Sequence, residues 1–147
     1  MTKYICKYTD FVLFDSSVNK NSIINDSVYT TTSTKCDGNE PGTTSYQLAL
    51  QFEYYNHAFP TIPDMANYFT YYVHKLWVAL NATNPAAATA FKANMAQFQQ
   101  LMTEKFPRLR FFVNDTWDVN GLIIMVEEHA NGTGTFYYIK EGIKTGN

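Results

Sequence analysis

Two apolar stripes at helical spacing lie back to back in the middle of the chain, and they constrain the fold more than any other feature. Met65, Phe69, Tyr72, Leu76 and Leu80 recur at intervals of three and four, with Trp77 beside them. Thr61 fits an N-cap, with Asp64 as the acidic residue three positions on. Beyond Asn81-Ala82-Thr83, Asn84 suits the cap of a second helix and Pro85 its first position. Ala88, Phe91, Met95, Phe98, Met102 and Phe106 form the second stripe, which Pro107 stops. Two helices of about twenty residues, joined by so short a link, lie antiparallel with their stripes facing.

Strand patterns flank this hairpin on both sides. Tyr46, Leu48, Leu50, Phe52 and Tyr54 alternate with Gln47, Ala49, Gln51 and Glu53, which predicts one strand with an apolar and a mostly polar face. Val28–Thr34 is β-branched and carries a tyrosine, a second strand pattern. Leu109–Val113 and Leu122–Val126 read as short apolar strands, separated by the polar stretch 114–120 and Gly121. Asn131-Gly132 marks a hairpin turn into a strand at Phe136–Ile139. The segment 35–45 is dense in turn formers and is expected to be a mobile loop. The expectation is one α+β domain over 1–147, with β structure in 1–60, the helical hairpin in 61–106 and β structure again in 107–147.

Bulk properties narrow the function classes. A chain of 147 residues with 46% hydrophobic and 16% aromatic content can bury a real core. The net charge of −2 splits into −2, +1 and −1 over 1–60, 61–106 and 107–147, so no basic arm or stripe offers itself to nucleic acid. The N-terminal stretch lacks the apolar region and cleavage site of a signal peptide, and no apolar run reaches the roughly 18 residues of a membrane helix. Cys6 and Cys36 make neither a disulfide framework nor a metal knuckle, which points to the reducing cytoplasm. The Asn-x-Ser/Thr sequons read as chance in an Asn- and Thr-rich chain.

Catalytic patterns are missing. The chain has no nucleophile elbow, phosphate loop or dinucleotide fingerprint. His74 falls off the apolar stripe, and His57 lies in a pre-helical loop. His129 adjoins Glu127 and Glu128, where a solvated carboxylate pair before a turn outweighs a metal site. Cys6 alternates with Tyr4 and Tyr8 as a half-buried strand residue rather than a nucleophile. Asp115 and Asp118 could do acid–base work only if brought close and partly buried. No cofactor and no metal site is expected.

From Phe106 the chain reads FPRLRFFVNDTWDVNGLIIMVEEHANGTGTFYYIKEGIK. This is similar to the C-terminal signature region of the translationally controlled tumour protein (TCTP) family. Phe106, Phe111, Phe112, Val113, Gly121, Gly132, Lys140 and Gly142 fall in matching places, and Tyr4 and Phe14 fit the family's opening pattern. The resemblance covers the whole chain in layout and about a quarter of it in recognisable residues. It departs where the family's Gly-Glu becomes Asn114-Asp115, and where Val12 replaces an acid whose nearest substitute is Asp10. The acidic loop shrinks to 35–45, keeping only Gly38-Asn39 of its pattern, and the first helix keeps only Lys75 of its lysines.

The resemblance implies a β-tent of mostly antiparallel strands with an inserted helical hairpin, a fold shared with small Rab-binding exchange chaperones, and no catalytic centre. It implies partners of the family's kinds: small GTPases and translation elongation factors, tubulin, apoptosis regulators and calcium. The expected function is an interaction module for a small GTPase or an elongation factor, acting as a nucleotide-exchange accessory factor. Asp10, Phe14, Asn114 and Asp115 are the candidate partner-binding residues. The alternative is a tubulin-binding or other scaffold that uses the hairpin, with Lys75 and Lys92 as its contacts; the hairpin's near-neutral charge weakens it. Calcium binding is expected to be weak, because the acids are scattered. A methionine sulfoxide reductase on the same tent would need cysteines that this chain lacks.

Overall fold

The computed structural model describes residues 1–39, 41–55, 59–114 and 120–147. The hairpin forms as its caps dictate. Helix α1 spans Ile62–Thr83, and at its start the Thr61 N–H donates to Asp64 Oδ2 while Thr61 Oγ1 accepts from the Asp64 N–H, a complete capping box. Asn84 alone links it to helix α2, Pro85–Lys105, and caps that helix by accepting from the Ala87 N–H at 3.1 Å. Burial follows both stripes, adding Tyr68 to the first and leaving Leu80 and Phe106 only half-buried. Phe69 meets Phe98 edge-on at 5.5 Å, the antiparallel pairing that the stripes predict.

The strands come from both ends of the sequence and interleave. Strands β1 (Lys3–Cys6), β2 (Val12–Asp15) and β10 (Ile143–Gly146) form a three-stranded antiparallel sheet in the order β10-β1-β2. The larger, seven-stranded sheet runs β3-β4-β9-β8-β7-β6, with β5 also paired to β4. Its strands are β3 (Asn21–Ile23), β4 (Val28–Asp37), β5 (Thr44–Tyr46), β6 (Glu53–Tyr54), β7 (Leu109–Val113), β8 (Ile124–Glu128) and β9 (Thr133–Ile139). β4 lies antiparallel to β9 along seven residue pairs, from Val28↔Ile139 to Thr34↔Thr133. The hairpin is thus an insertion into one β structure whose halves pair with each other.

Strand β9 shows why the middle of the large sheet is buried on both faces. Tyr137 points towards the hairpin, its ring 6.1 Å from Phe98, while its neighbour Tyr138 packs 4.8 Å from Phe14 of the small sheet. Successive side chains leave a strand on opposite faces, so hairpin and small sheet cover one face each. β8 is correspondingly buried without alternation from Ile124 to Glu127. Gly132 closes the β8–β9 hairpin at φ +84°, a left-handed turn position that glycine takes without strain.

Three expectations need correction. The run from Tyr46 to Tyr54 is not one strand: a 3₁₀ turn, Gln47–Ala49, separates β5 from the two-residue β6. Its buried residues are Tyr46, Ala49 and Phe52, a period of three instead of two. The turn is held by the Leu48 N–H on Ser33 Oγ (3.0 Å) and the Phe52 N–H on Ala49 O (3.0 Å). The segment 35–45 is not a loop throughout, because Lys35–Asp37 pairs with Thr44–Tyr46. Glu127 is not a solvated acid but is 5% exposed. Its carboxylate accepts from Lys105 Nζ (3.1 Å), Arg108 Nε (3.3 Å) and the Tyr137 hydroxyl (2.9 Å), tying the end of α2 to the sheet. Burial alone would raise its pKa, but these donors hold it below the ordinary 4.5. Glu128 pairs with Arg110 at 3.1 Å, and His129 Nε2 shares a hydrogen bond with Thr135 Oγ1.

Candidate functional site

Helix α1 carries Tyr68, Tyr71, Tyr72 and Lys75 at spacings of three and four, and this side meets the returning end of the β7–β8 connection. The Tyr68 hydroxyl donates to Gly121 O at 3.1 Å and accepts from the Ile123 N–H at 2.8 Å. Burial pushes the Tyr68 pKa far up, so the phenol stays protonated and can do both. The Tyr71 hydroxyl reaches Asn120 Oδ1 at 3.3 Å, and Lys75 Nζ donates to Asn120 O at 2.5 Å. One helix face therefore fixes the backbone from Asn120 to Ile123.

The turn between β1 and β2 closes on the same place. The Asp10 N–H donates to Cys6 O at 2.9 Å, and Asp10 takes a left-handed φ of 58°, which aspartate tolerates better than most residues. Gly121 admits this turn: a Cβ there would sit 2.5 Å from Thr9 Cγ2 and 3.0 Å from Cys6 Sγ. Lys75 Nζ lies 3.8 Å from the centroid of Tyr8 and 5.3 Å from that of Tyr71, a cation held between two aromatic faces. Tyr8 is 37% and Tyr71 52% exposed, so the two rings present apolar area to solvent. Around them stand two surface ion pairs, Lys7–Glu141 and Lys144–Asp10.

Of the residues singled out from sequence, Asp10 and Lys75 fall on this surface. Phe14 does not: it is 3% exposed, stacked on Tyr4 at 4.5 Å, and presents almost no side chain to a partner. Asn114 is buried at the end of β7. Asp115 and Asp118 lie outside the described residues, as does His57. Of the described residues that flank 115–119, Asn120 touches this surface through Tyr71 and Lys75. Lys92 is elsewhere, on α2, with Nζ 5.5 Å from the Trp77 ring. Sequence reading missed Tyr8 and Tyr71 as surface groups. The available signal was a large aromatic one position off the apolar stripe of α1.

Exposed tyrosines around a cation, edged by ion pairs, make the mixed apolar and polar patch typical of protein contacts. Among the described residues, no group of three His, Cys, Asp or Glu side chains could hold a metal ion. The acids Asp10, Asp26 and Glu141 each pair with a lysine. Nor is any helix among the described residues long and apolar enough to cross a membrane.

Comparison with known proteins agrees with this architecture. The family model described as translationally controlled tumour protein matches residues 16–144. The structure of translationally controlled tumor-associated protein p23fyp from Schizosaccharomyces pombe superposes with a TM-score of 0.81 at 15% sequence identity, covering 100% of this chain and 99% of that one. The solution structure of TCTP from Caenorhabditis elegans gives a TM-score of 0.72 at 18% identity, covering 100% and 98%. At such identities the likeness establishes the fold. The search of curated proteins gives no match. With a family model spanning most of its length and the same interleaved sheets and inserted hairpin, the chain belongs to the translationally controlled tumour protein family.

Proposed function

We propose that this protein is a non-enzymatic interaction module that binds a small GTPase or a translation elongation factor, as an accessory factor in nucleotide exchange, in the cytoplasm. The observation that carries this reading is the surface of Tyr8, Lys75 and Tyr71, with Asp10 at its edge. Loops held by a rigid frame are where binding groups concentrate, and here α1 supplies the frame. Asp10 can offer its carboxylate to a lysine or arginine of the partner, and Asp115, matched by the family resemblance to the family's signature Glu, is proposed to do the same. The tubulin-scaffold reading loses Lys75, whose ammonium is engaged with Asn120 and Tyr8.

Calorimetric titration with candidate GTPases and elongation factor from the same cell tests the proposal. Tyr71→Ala should weaken binding by about 2 kcal/mol, as loss of an interface aromatic does. Asp10→Ala and Asp115→Ala should each cost roughly 1 kcal/mol, an effect that shrinks as salt rises. Equal affinities for the wild type and all three variants, each folded, would overturn the proposal.

A further inference from the structure

The opposite side of the hairpin holds a feature that the partner surface does not use. Between α1 and α2 runs a groove of about 540 Å³, with Phe69, Val73, Trp77 and Met95 below and His74 and Lys92 at its rim. Phe69 and Met95 are buried, Val73 and Trp77 half-buried, and His74 and Lys92 exposed, so the groove grades from an apolar floor to a polar lip. Trp77 organises that lip: His74 stacks on it at 6.0 Å, and Lys92 Nζ stands 5.5 Å from its ring.

Charge and shape say what would fit. Among the described residues, His74 and Lys92 are the lining residues able to carry charge, and no acid lines the groove. The acids of the two helices are placed elsewhere, Asp64 in the capping box of α1 and Glu104 in the last turn of α2. The lining contributed by α1 runs from Phe69 to Trp77, about 12 Å at the helical rise per residue. Both basic groups gather at one end, beside Trp77. That is one apolar slot with one cationic end, and its volume is within the range of about 300–1,000 Å³ usual for small-ligand sites.

We propose that this groove binds a small amphipathic anion, an apolar aromatic or aliphatic body carrying a single carboxylate. The body lies along Phe69, Val73 and Met95, and the carboxylate reaches Lys92 beside the Trp77 ring. A partner helix would use a longer row of anchors and would not account for charge confined to one end. The site is separate from the Tyr8–Lys75–Tyr71 surface and stands or falls independently of it.

The test is an NMR titration of the ¹⁵N-labelled chain with 1-naphthylacetate and with its uncharged counterpart 1-naphthylacetamide. The acid should give saturable shifts at Val73, Ala96 and the Trp77 indole N–H. It should bind about five-fold more tightly than the amide, and Lys92→Gln should erase about that five-fold, since a charge-assisted contact is lost. The amide should be indifferent to Lys92→Gln. Ala96→Trp, at an exposed helix position that borders the groove, should weaken both compounds more than about ten-fold by filling the space. Absence of saturable shifts at the groove would overturn the proposal, as would equal affinity for acid and amide. So would an acidic amphipathic helical peptide that shifts these resonances where 1-naphthylacetate does not.

Discussion

The two sides of α1 are built for different work. On one side Tyr68 donates to Gly121 O and accepts from the Ile123 N–H, Lys75 donates to Asn120 O, and Tyr71 reaches the Asn120 side chain. On the other, Phe69, Val73 and Trp77 face α2 across a groove whose floor is apolar and whose polar groups stand at the rim. The first side is committed internally, and what it exposes is the Tyr71 ring, with Tyr8 of the β1–β2 turn beside Lys75. On the second, Lys92 forms no ion pair among the described residues and has room beside it. A helix that is hydrophobic in one stripe can therefore serve a sheet on one flank and solvent-borne molecules on the other, because position along the 3.6-residue turn decides which.

The largest effect expected is one that destroys both flanks together. Phe98 contacts Phe69 within the hairpin and Tyr137 on the sheet. Phe98→Ala should cost about 3–5 kcal/mol in denaturant melts, with loss of order on either side of α1. A cost below about 1 kcal/mol would mean that the hairpin does not lean on the sheet through this ring.

Glu127 anchors the base of the hairpin, and Glu127→Gln should cost about 1–3 kcal/mol, because Lys105 and Tyr137 lose a charged acceptor in a buried place. The pH dependence follows from the lowered pKa. The unfolded chain takes up the proton at the ordinary 4.5 and the folded chain only at lower pH. The contribution is therefore complete above the ordinary value and fades as pH falls through the folded one. Melts from pH 7 down to 3 should show wild type and Glu127→Gln converging at the acid end; a constant gap would contradict this.

Tyr68→Phe separates the flanks. It should cost about 1–2 kcal/mol by orphaning the Ile123 N–H and Gly121 O. Hydrogen exchange should then quicken around 120–123 while Val73 and Ala96 keep their protection. Faster exchange across the whole hairpin would show that the hydroxyl supports more than the connection. Smallest of all, Asp10→Ala should cost no more than about 1 kcal/mol, from the loss of an exposed Lys144 pair and the left-handed φ that alanine tolerates less well than aspartate.

Much of this was readable from residues. The hairpin announced itself through caps whose side chains act locally, Thr61 with Asp64 and Asn84 with Pro85, so tertiary contacts could not displace them. The region from Tyr46 to Tyr54 misled because its alternation is real in sequence but yields to the Ser33 hydroxyl and to the burial of Ala49. Glu127 misled for the opposite reason: its partners Lys105 and Arg108 lie about twenty residues away in sequence. A pair of cations at a helix end, followed by a strand carrying an acid, was the signal. Of the candidate site, Asp10 came through family resemblance and Lys75 as a lone helix lysine. Tyr8 and Tyr71 became visible only when the β1–β2 turn and α1 were seen to share Gly121 and Lys75 between them.

Chemical-shift mapping of the ¹⁵N-labelled chain, with an unlabelled candidate GTPase or elongation factor added in steps, tests the central claim most directly. The account predicts shifts or broadening at Tyr8, Thr9, Tyr71, Lys75 and Asn120, with Val73, Trp77 and Ala96 left in place. Changes confined to Val73, Trp77, Lys92 and Ala96 would contradict it and make the outer groove the protein-binding face.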